Sequence, residues 1–443
     1  MKTEELVITK EVISISGASP DIERLTRYDM KLSTDTDTFV ISNLSTVELL
    51  RDYNNNYCDY IIVSFQMPLG DFIKQIYPKR DSLHVILNHQ TLGSVVVEKL
   101  DFVLSEIDRT AMDGTLDSKS MNELNRTFIN LTGQCLNKTI MELRDSTTHG
   151  LYKDVTVSDV INNVLSKELN IFGGIFGMGN GGITMVPPDN ERKYDRISIV
   201  KGTRILDVPK YLQKGVYGVY NGGITTYLQA FNGKESLYIA PLYRQNLYGY
   251  FTKSLYIVAA QRESVTTLDS TYVVDGNVIK IIVARDQHIS DDDANIKNEG
   301  TGFIATEANS LTSRPVQISK DKMKISEDFV TTKFAHKKVN GKIGPVASKG
   351  VSSNFYDGRT DGLIRDGILI QVNWKSSNTR LLSPMMPISY VIEVDGKIKK
   401  YEGVLHRVDS ITDVPNETEN SVLTIFVRKG KSKPSIKSKI KVK

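Results

Sequence analysis

The apolar residues of this chain come in short runs, such as Tyr60-Ile61-Ile62-Val63, many alternating with polar positions and bounded by Gly, Pro, Asn or Asp. Runs of that length and period read as β-strands. None approaches the ~20 consecutive apolar residues that a membrane helix requires, so no membrane span is expected. The first twenty residues also lack the apolar stretch of a secretory signal, and the chain is expected to act without export. At 443 residues, against roughly 100–200 per domain, it divides into several folded units.

The strand pattern is densest at the start. Leu6-Val7-Ile8, 11–16, 38–42, Tyr60–Pro68, 83–87 and 94–106 give five or six short strands, enough for a small barrel or sandwich. The period then changes. Ser118–Leu131 places Met121, Leu124, Phe128 and Leu131 at helical spacing before Gly133, which predicts an amphipathic helix. Thr156–Leu169 predicts a second helix, with Val157, Val160, Ile161, Val164, Leu165 and Leu169 on one stripe. Thr156 and Asp159 have the spacing of a reciprocal N-terminal cap, Asp standing where Glu or Gln is usual. A short helix over 205–215 is opened by Pro209.

Beyond it the alternation returns. Asn232-Gly233 between 225–231 and 236–240 is a strong hairpin signal, and Asp275-Gly276-Asn277 tips another across 272–283. The polar stretch 286–314 reads as a long loop, followed by strands at 361–372, 389–394, 397–404 and 423–427. The fold class is therefore mainly β with an α+β insertion: small β-barrels alternating with a helical insert. The expected units are 1–112, a barrel-like domain; 113–222, the insert; 223–314, a second β domain; 315–427, a last β domain; and 428–443, a basic tail.

Catalytic signatures are absent from the text. The six histidines are scattered with no HxxxH or HExxH spacing, and Cys58 and Cys135 form no CxxC pair, so neither a metal site nor a disulfide framework is expected. Gly177, Gly179 and Gly182 satisfy GxGxxG, but a helix precedes them and no helix follows, the reverse of a dinucleotide fold. Asp291, Asp292 and Asp293 miss the calcium-loop pattern, Ile296 standing where Gly is needed. No catalytic residue, cofactor or metal is assigned, and the chain is read as a non-enzyme.

Charge and aromatics point instead to partners. Residues 428–443 hold eight basic residues and no acid, so the remaining chain carries −4 of a formal +4 total. A mildly acidic body argues against a specific nucleic-acid surface. Nine of the 20 tyrosines fall between Tyr211 and Tyr256. Tyrosine is enriched both at interfaces and in cross-strand pairs, and these two readings stay open. The partner-interface candidates are Tyr211, Tyr217, Tyr220, Tyr227, Tyr238, Tyr243, Tyr248 and Tyr250, with Phe176 and Met178 of the Gly-rich loop and Lys431, Lys433, Lys437 and Lys439 of the tail.

Two segments carry a resemblance. VTVSDVINNVLSKEL at 155–169 looks like the helix that opens the inserted domain of the baseplate hub proteins of contractile-tailed bacteriophages, which are related to the N-terminal part of the type VI secretion spike protein. ILDVPKYLQKGVYGVYNGGITTYLQAFNGKESLYIAPLY at 205–243 resembles the same family's helix, strand and hairpin. The resemblance implies a structural virion protein of the tail baseplate, made in the host cytoplasm. It implies a homotrimer whose two barrels per subunit form a ring, joining a six-fold tail tube to a three-fold spike. The competing readings are a tail-associated polysaccharide hydrolase, whose tyrosines would line a sugar cleft, and a host-binding adhesin.

Overall fold

The computed structural model describes residues 26–34, 36–91, 97–108, 128–173, 182–214, 217–231, 234–244, 253–260, 271–284, 289–290, 302–305, 316–319, 336–339, 342–345, 356, 360, 363, 367–394 and 397–428. The first half of the chain supplies β1 (Thr26–Ser33), β2 (Thr38–Ile41), β3 (Asn43–Asp52), β4 (Tyr60–Pro68), β5 (His84–Thr91), β6 (Val97–Asp108) and β7 (Phe128–Asn137). They pair in the order β3-β4-β7-β6-β5-β1-β2. Period-two patterning is direct here: Ile61, Val63, Phe65 and Met67 of β4 are buried while Ile62, Ser64 and Gln66 look outward. The inward side chains form one core with Met30, Leu32, Val47, Leu49, Val85, Leu87, Ile129 and Leu131.

β7 corrects the helix expected over 118–131, of which 118–127 lie outside the described residues. Phe128–Leu131 begins a strand that pairs with β4 from Pro68 to Tyr60. The text FINLTGQC satisfies period two as well as period 3.6: Ile129, Leu131 and Cys135 are buried, while Asn130 and Thr132 are not. Long-range pairing decides between the two periods. Cys58 and Cys135 are both buried, and neither forms a disulfide.

The middle of the chain holds α1 (Lys138–Leu143), β8 (Thr147–Tyr152), α2 (Val157–Gly173), β9 (Ile183–Met185), β10 (Ile197–Arg204), α3 (Val208–Lys214), β11 (Thr225–Phe231) and β12 (Lys234–Ala240). α2 starts as the sequence predicts. The Asp159 N–H donates to Thr156 Oγ1 at 3.2 Å, and Asp159 Oδ2 accepts from the Thr156 N–H at 3.2 Å. Its stripe of Val157, Val160, Ile161, Val164 and Leu165 is buried. β8 and β10 form a two-stranded antiparallel ribbon, and β11 and β12 a hairpin to which β9 adds in parallel.

The second half comprises β13 (Ser254–Ala260), β14 (Tyr272–Asp275), β15 (Val278–Ala284), β16 (Ile289–Ser290), β21 (Gly367–Trp374), β22 (Pro387–Val394), β23 (Lys397–Asp413) and β24 (Thr418–Arg428). Between β16 and β21 stand two separate hairpins, β17 (Gly302–Ala305) with β18 (Val316–Ser319) and β19 (His336–Val339) with β20 (Lys342–Pro345). Apart from β16 and β17, the polar stretch 286–314, with Asp291–Asp293, lies outside the described residues. β13 pairs in parallel with both β15 and β22, and its consecutive buried residues Ile257, Val258, Ala259 and Ala260 are what a strand covered on both faces requires. Pairing then runs from β22 through β23 and β24 to β21, and β21 meets β15 at Asn373 and Ala284. The circuit is closed. Strands from 253–284 and 367–428 together make it up, β13 and β15 side by side and the other four completing the circuit. The two halves join where β23 pairs with β3, Arg407 opposite Asp52 through Asp413 opposite Thr46.

Candidate partner interface

The tyrosine-rich segment packs against the insert and the second half. Tyr227 of β11 is wholly buried; its hydroxyl donates to Asp59 Oδ1 at 3.0 Å and its ring meets Tyr53 edge-on at 4.8 Å. Tyr220 is equally buried and donates to the Val186 carbonyl. Gln213 of α3 fixes the adjoining backbone, accepting from the Val219 and Tyr220 N–H groups at 3.0 and 2.9 Å. These two tyrosines are core residues, closed to a partner in the folded chain. Of the two, Tyr227 has a cross-strand tyrosine opposite it, whereas Tyr220 lies outside any strand.

Tyr211, Tyr217, Tyr238 and Tyr243 are half-buried. The Tyr217 hydroxyl accepts from the Ser198 N–H at 3.2 Å and donates to the Arg196 carbonyl at 3.3 Å, so it occupies backbone groups on the outer edge of β10 that would otherwise be open. Tyr238 stands opposite Tyr227 in the hairpin, and burial raises its phenol pKa. Tyr243 lies against Phe426 at 5.1 Å and His406 at 4.9 Å, tying the segment to the second half. Tyr248, Tyr250, Phe176, Met178, Lys431, Lys433, Lys437 and Lys439 lie outside the described residues.

The structure adds a feature that the tyrosine pattern does not announce. A cleft of about 700 Å³ opens between β10 and α3, lined by Gly202, Thr203, Arg204, Asp207, Lys210, Tyr211 and Lys214. Gly202, at φ +88°, permits the bulge that shifts the β8–β10 register between Ile199 and Thr203. Asp207, the one acid in the lining, is engaged by the Tyr57 hydroxyl. Lys210 sits over the Tyr57 ring at 5.0 Å and donates to the Asn54 carbonyl at 3.0 Å. Burial lowers the Lys210 ammonium's pKa, and nearby Lys214 adds to the effect against the opposing pull of Asp207. The side chains of Arg204 and Lys214 are exposed and make no hydrogen bond or ion pair among the described residues. The cleft carries surplus positive charge. Its sequence signal was the i, i+4 pair Lys210 and Lys214 on a helix following Arg204.

Behind the hairpin lies a buried ion pair. Arg51 Nε donates to both Asp59 oxygens at 3.2 Å, Nη2 reaches Oδ2 at 3.1 Å, and Nη1 donates to the Thr379 carbonyl at 2.8 Å. With Tyr227 on the same carboxylate, the node connects the first half, the hairpin and the second half. Among the described residues no cluster of three or more His, Cys, Asp or Glu is placed to hold a metal, and no helix is long and apolar enough to cross a membrane.

No family model and no curated protein matches the sequence. Solved structures do match the fold. The tail protein from Neisseria meningitidis MC58 superposes with a TM-score of 0.50 at 9% identity, over 90% of this chain and 96% of that one. The 43 kDa tail protein of prophage MuSo2 from Shewanella oneidensis gives 0.48 at 10% identity, over 90% and 96%. An E. coli component of the type VI secretion system, described as structurally similar to bacteriophage T4 tail proteins, gives 0.43 at 10% identity, over 89% and 76%. The Neisseria protein is a tail protein, as are the proteins that the sequence resemblance named. At these identities the likeness is one of fold.

Proposed function

We propose that the chain is a structural subunit of a phage-type tail baseplate, a hub that assembles as a homotrimeric ring and adapts a six-fold tail tube to a three-fold spike. The observation that carries this is the match over nearly the whole length of both chains to the Neisseria tail protein. The internal layout supports it. Each chain holds two strand-rich units joined edge to edge at β3 and β23, the second a closed, barrel-like circuit, so three chains offer six units to a six-fold partner. Closure and edge pairing also leave few free strand edges inside a ring. In this reading the protein acts by geometry, without a catalytic group, and its place is the virion tail.

Light scattering coupled to gel filtration, followed by negative-stain imaging, tests the proposal. The expected result is a particle of three chains around a central channel. A monomer at every attainable concentration counts against the ring.

A further inference from the structure

The cleft has a chemical counterpart elsewhere on the same chain. The outer face of the sheet at the β3–β23 seam carries Asp409, Ile411 and Asp413 at alternate positions of β23, with Glu48 of β3 opposite Ile411. Ile411 is 54% exposed. Asp409 is paired with Arg407 at 2.8 Å, while the Glu48 carboxylate makes no hydrogen bond or ion pair among the described residues. This face is acidic with an apolar centre. The cleft has the opposite charge, with Arg204 on the β10 side and Lys210 and Lys214 on the α3 side of the opening.

We propose that the β10–α3 cleft is the docking site for the acidic β3–β23 face of a second copy of this chain. The argument is charge complementarity: Arg204 and Lys214, without hydrogen bond or ion pair among the described residues, on one face and excess carboxylates on the other. Because the two faces differ, the contact is head to tail, which closes into a ring when the rotation between copies allows. The inference rests on the ring reading above and names the surfaces that make the ring. Both faces are positioned by rigid elements, the cleft by α3 and the bulged β10, the acidic face by three paired strands.

The test is charge reversal in the full chain, read by sedimentation and light scattering with circular dichroism to confirm folding. Arg204→Glu with Lys214→Glu, and separately Glu48→Lys with Asp409→Lys, are each expected to weaken self-association about tenfold or more, because like charges then face each other. All four reversals in one chain are expected to restore it, a result that loss of folding cannot imitate. If either pair leaves the wild-type oligomer intact, the docking assignment is overturned while the ring stands. If the wild-type chain never self-associates, both fall. If the cleft pair leaves the oligomer intact but abolishes binding of a poly-glutamate peptide or of duplex DNA, the cleft serves another polyanion and self-docking is overturned.

Discussion

Removing one partner of the buried Arg51–Asp59 pair is the most exacting perturbation of this fold. Arg51 is 6% exposed and Asp59 8%, and three of the four side-chain bonds that the guanidinium makes end on that carboxylate. Asp59→Asn keeps the shape and an acceptor for Tyr227 but strands a buried cation, at a cost of about 3–5 kcal/mol. That is a large share of a domain stability of about 5–15 kcal/mol. Replacing both charges, Arg51→Met with Asp59→Leu, removes the desolvation penalty, leaving the Tyr227 hydroxyl and the Thr379 carbonyl unsatisfied at about 1–3 kcal/mol each. Adding Tyr227→Phe recovers one of these. Hence the triple variant is expected to be more stable than Asp59→Asn alone. The assay is urea unfolding followed by the single tryptophan, Trp374, which is wholly buried in the larger core. A loss under about 1 kcal/mol for Asp59→Asn, or a triple variant less stable than that single change, would refute the reasoning.

Three further outcomes are expected. His406 is buried and hydrogen-bonded to the Leu242 carbonyl at 2.7 Å; burial lowers its pKa from 6.5 to about 4 despite that bond. The unfolded chain therefore binds the proton first, so the His406 contribution is present above pH 6.5 and is lost as pH falls towards 4, a change of about 3 kcal/mol. His406→Gln, compared with wild type in unfolding at pH 7 and pH 4.5, should flatten that dependence. Gly403→Ala would set a Cβ 2.2 Å from the Phe426 backbone oxygen and 2.7 Å from Val427 Cγ1. With backbone as the obstacle, thermal unfolding should show a loss of about 1–3 kcal/mol. Thr156→Ala removes the α2 cap and should cost about 1 kcal/mol in the same assay, with hydrogen exchange rising in the first turn.

Local chemistry was legible in the text and partner choice was not. The α2 cap and stripe, the β11–β12 and β14–β15 hairpins and the alternation of β4 are each written within fewer than about twenty residues, and the structure has them. The residues of β7 satisfy two periods, and the arbiter is β4, some sixty to seventy positions earlier. The tyrosines show the same limit. Composition marks Tyr220 and Tyr227 as equals of Tyr211, and only packing shows that the first two are core and the third lines a cleft. Arg204, Lys210 and Lys214 carry only the weak signal of an i, i+4 cation pair, which any solvated helix face can show, until a bulge and a helix bring them around one cleft.

The seam between the halves also sets an order of events during synthesis. β3 is complete by Asp52, but its partner in β23 begins at Arg407, roughly 350 residues later. At about 5–20 residues per second, that edge of the first half waits on the order of 20–70 s for its neighbour. In that interval Leu50 and Glu48 stand on an open strand, and a long open edge is a template for wrong pairing. The charge of Glu48, placed mid-strand, disfavours pairing with another strand of the same kind until residues 407–413 have emerged.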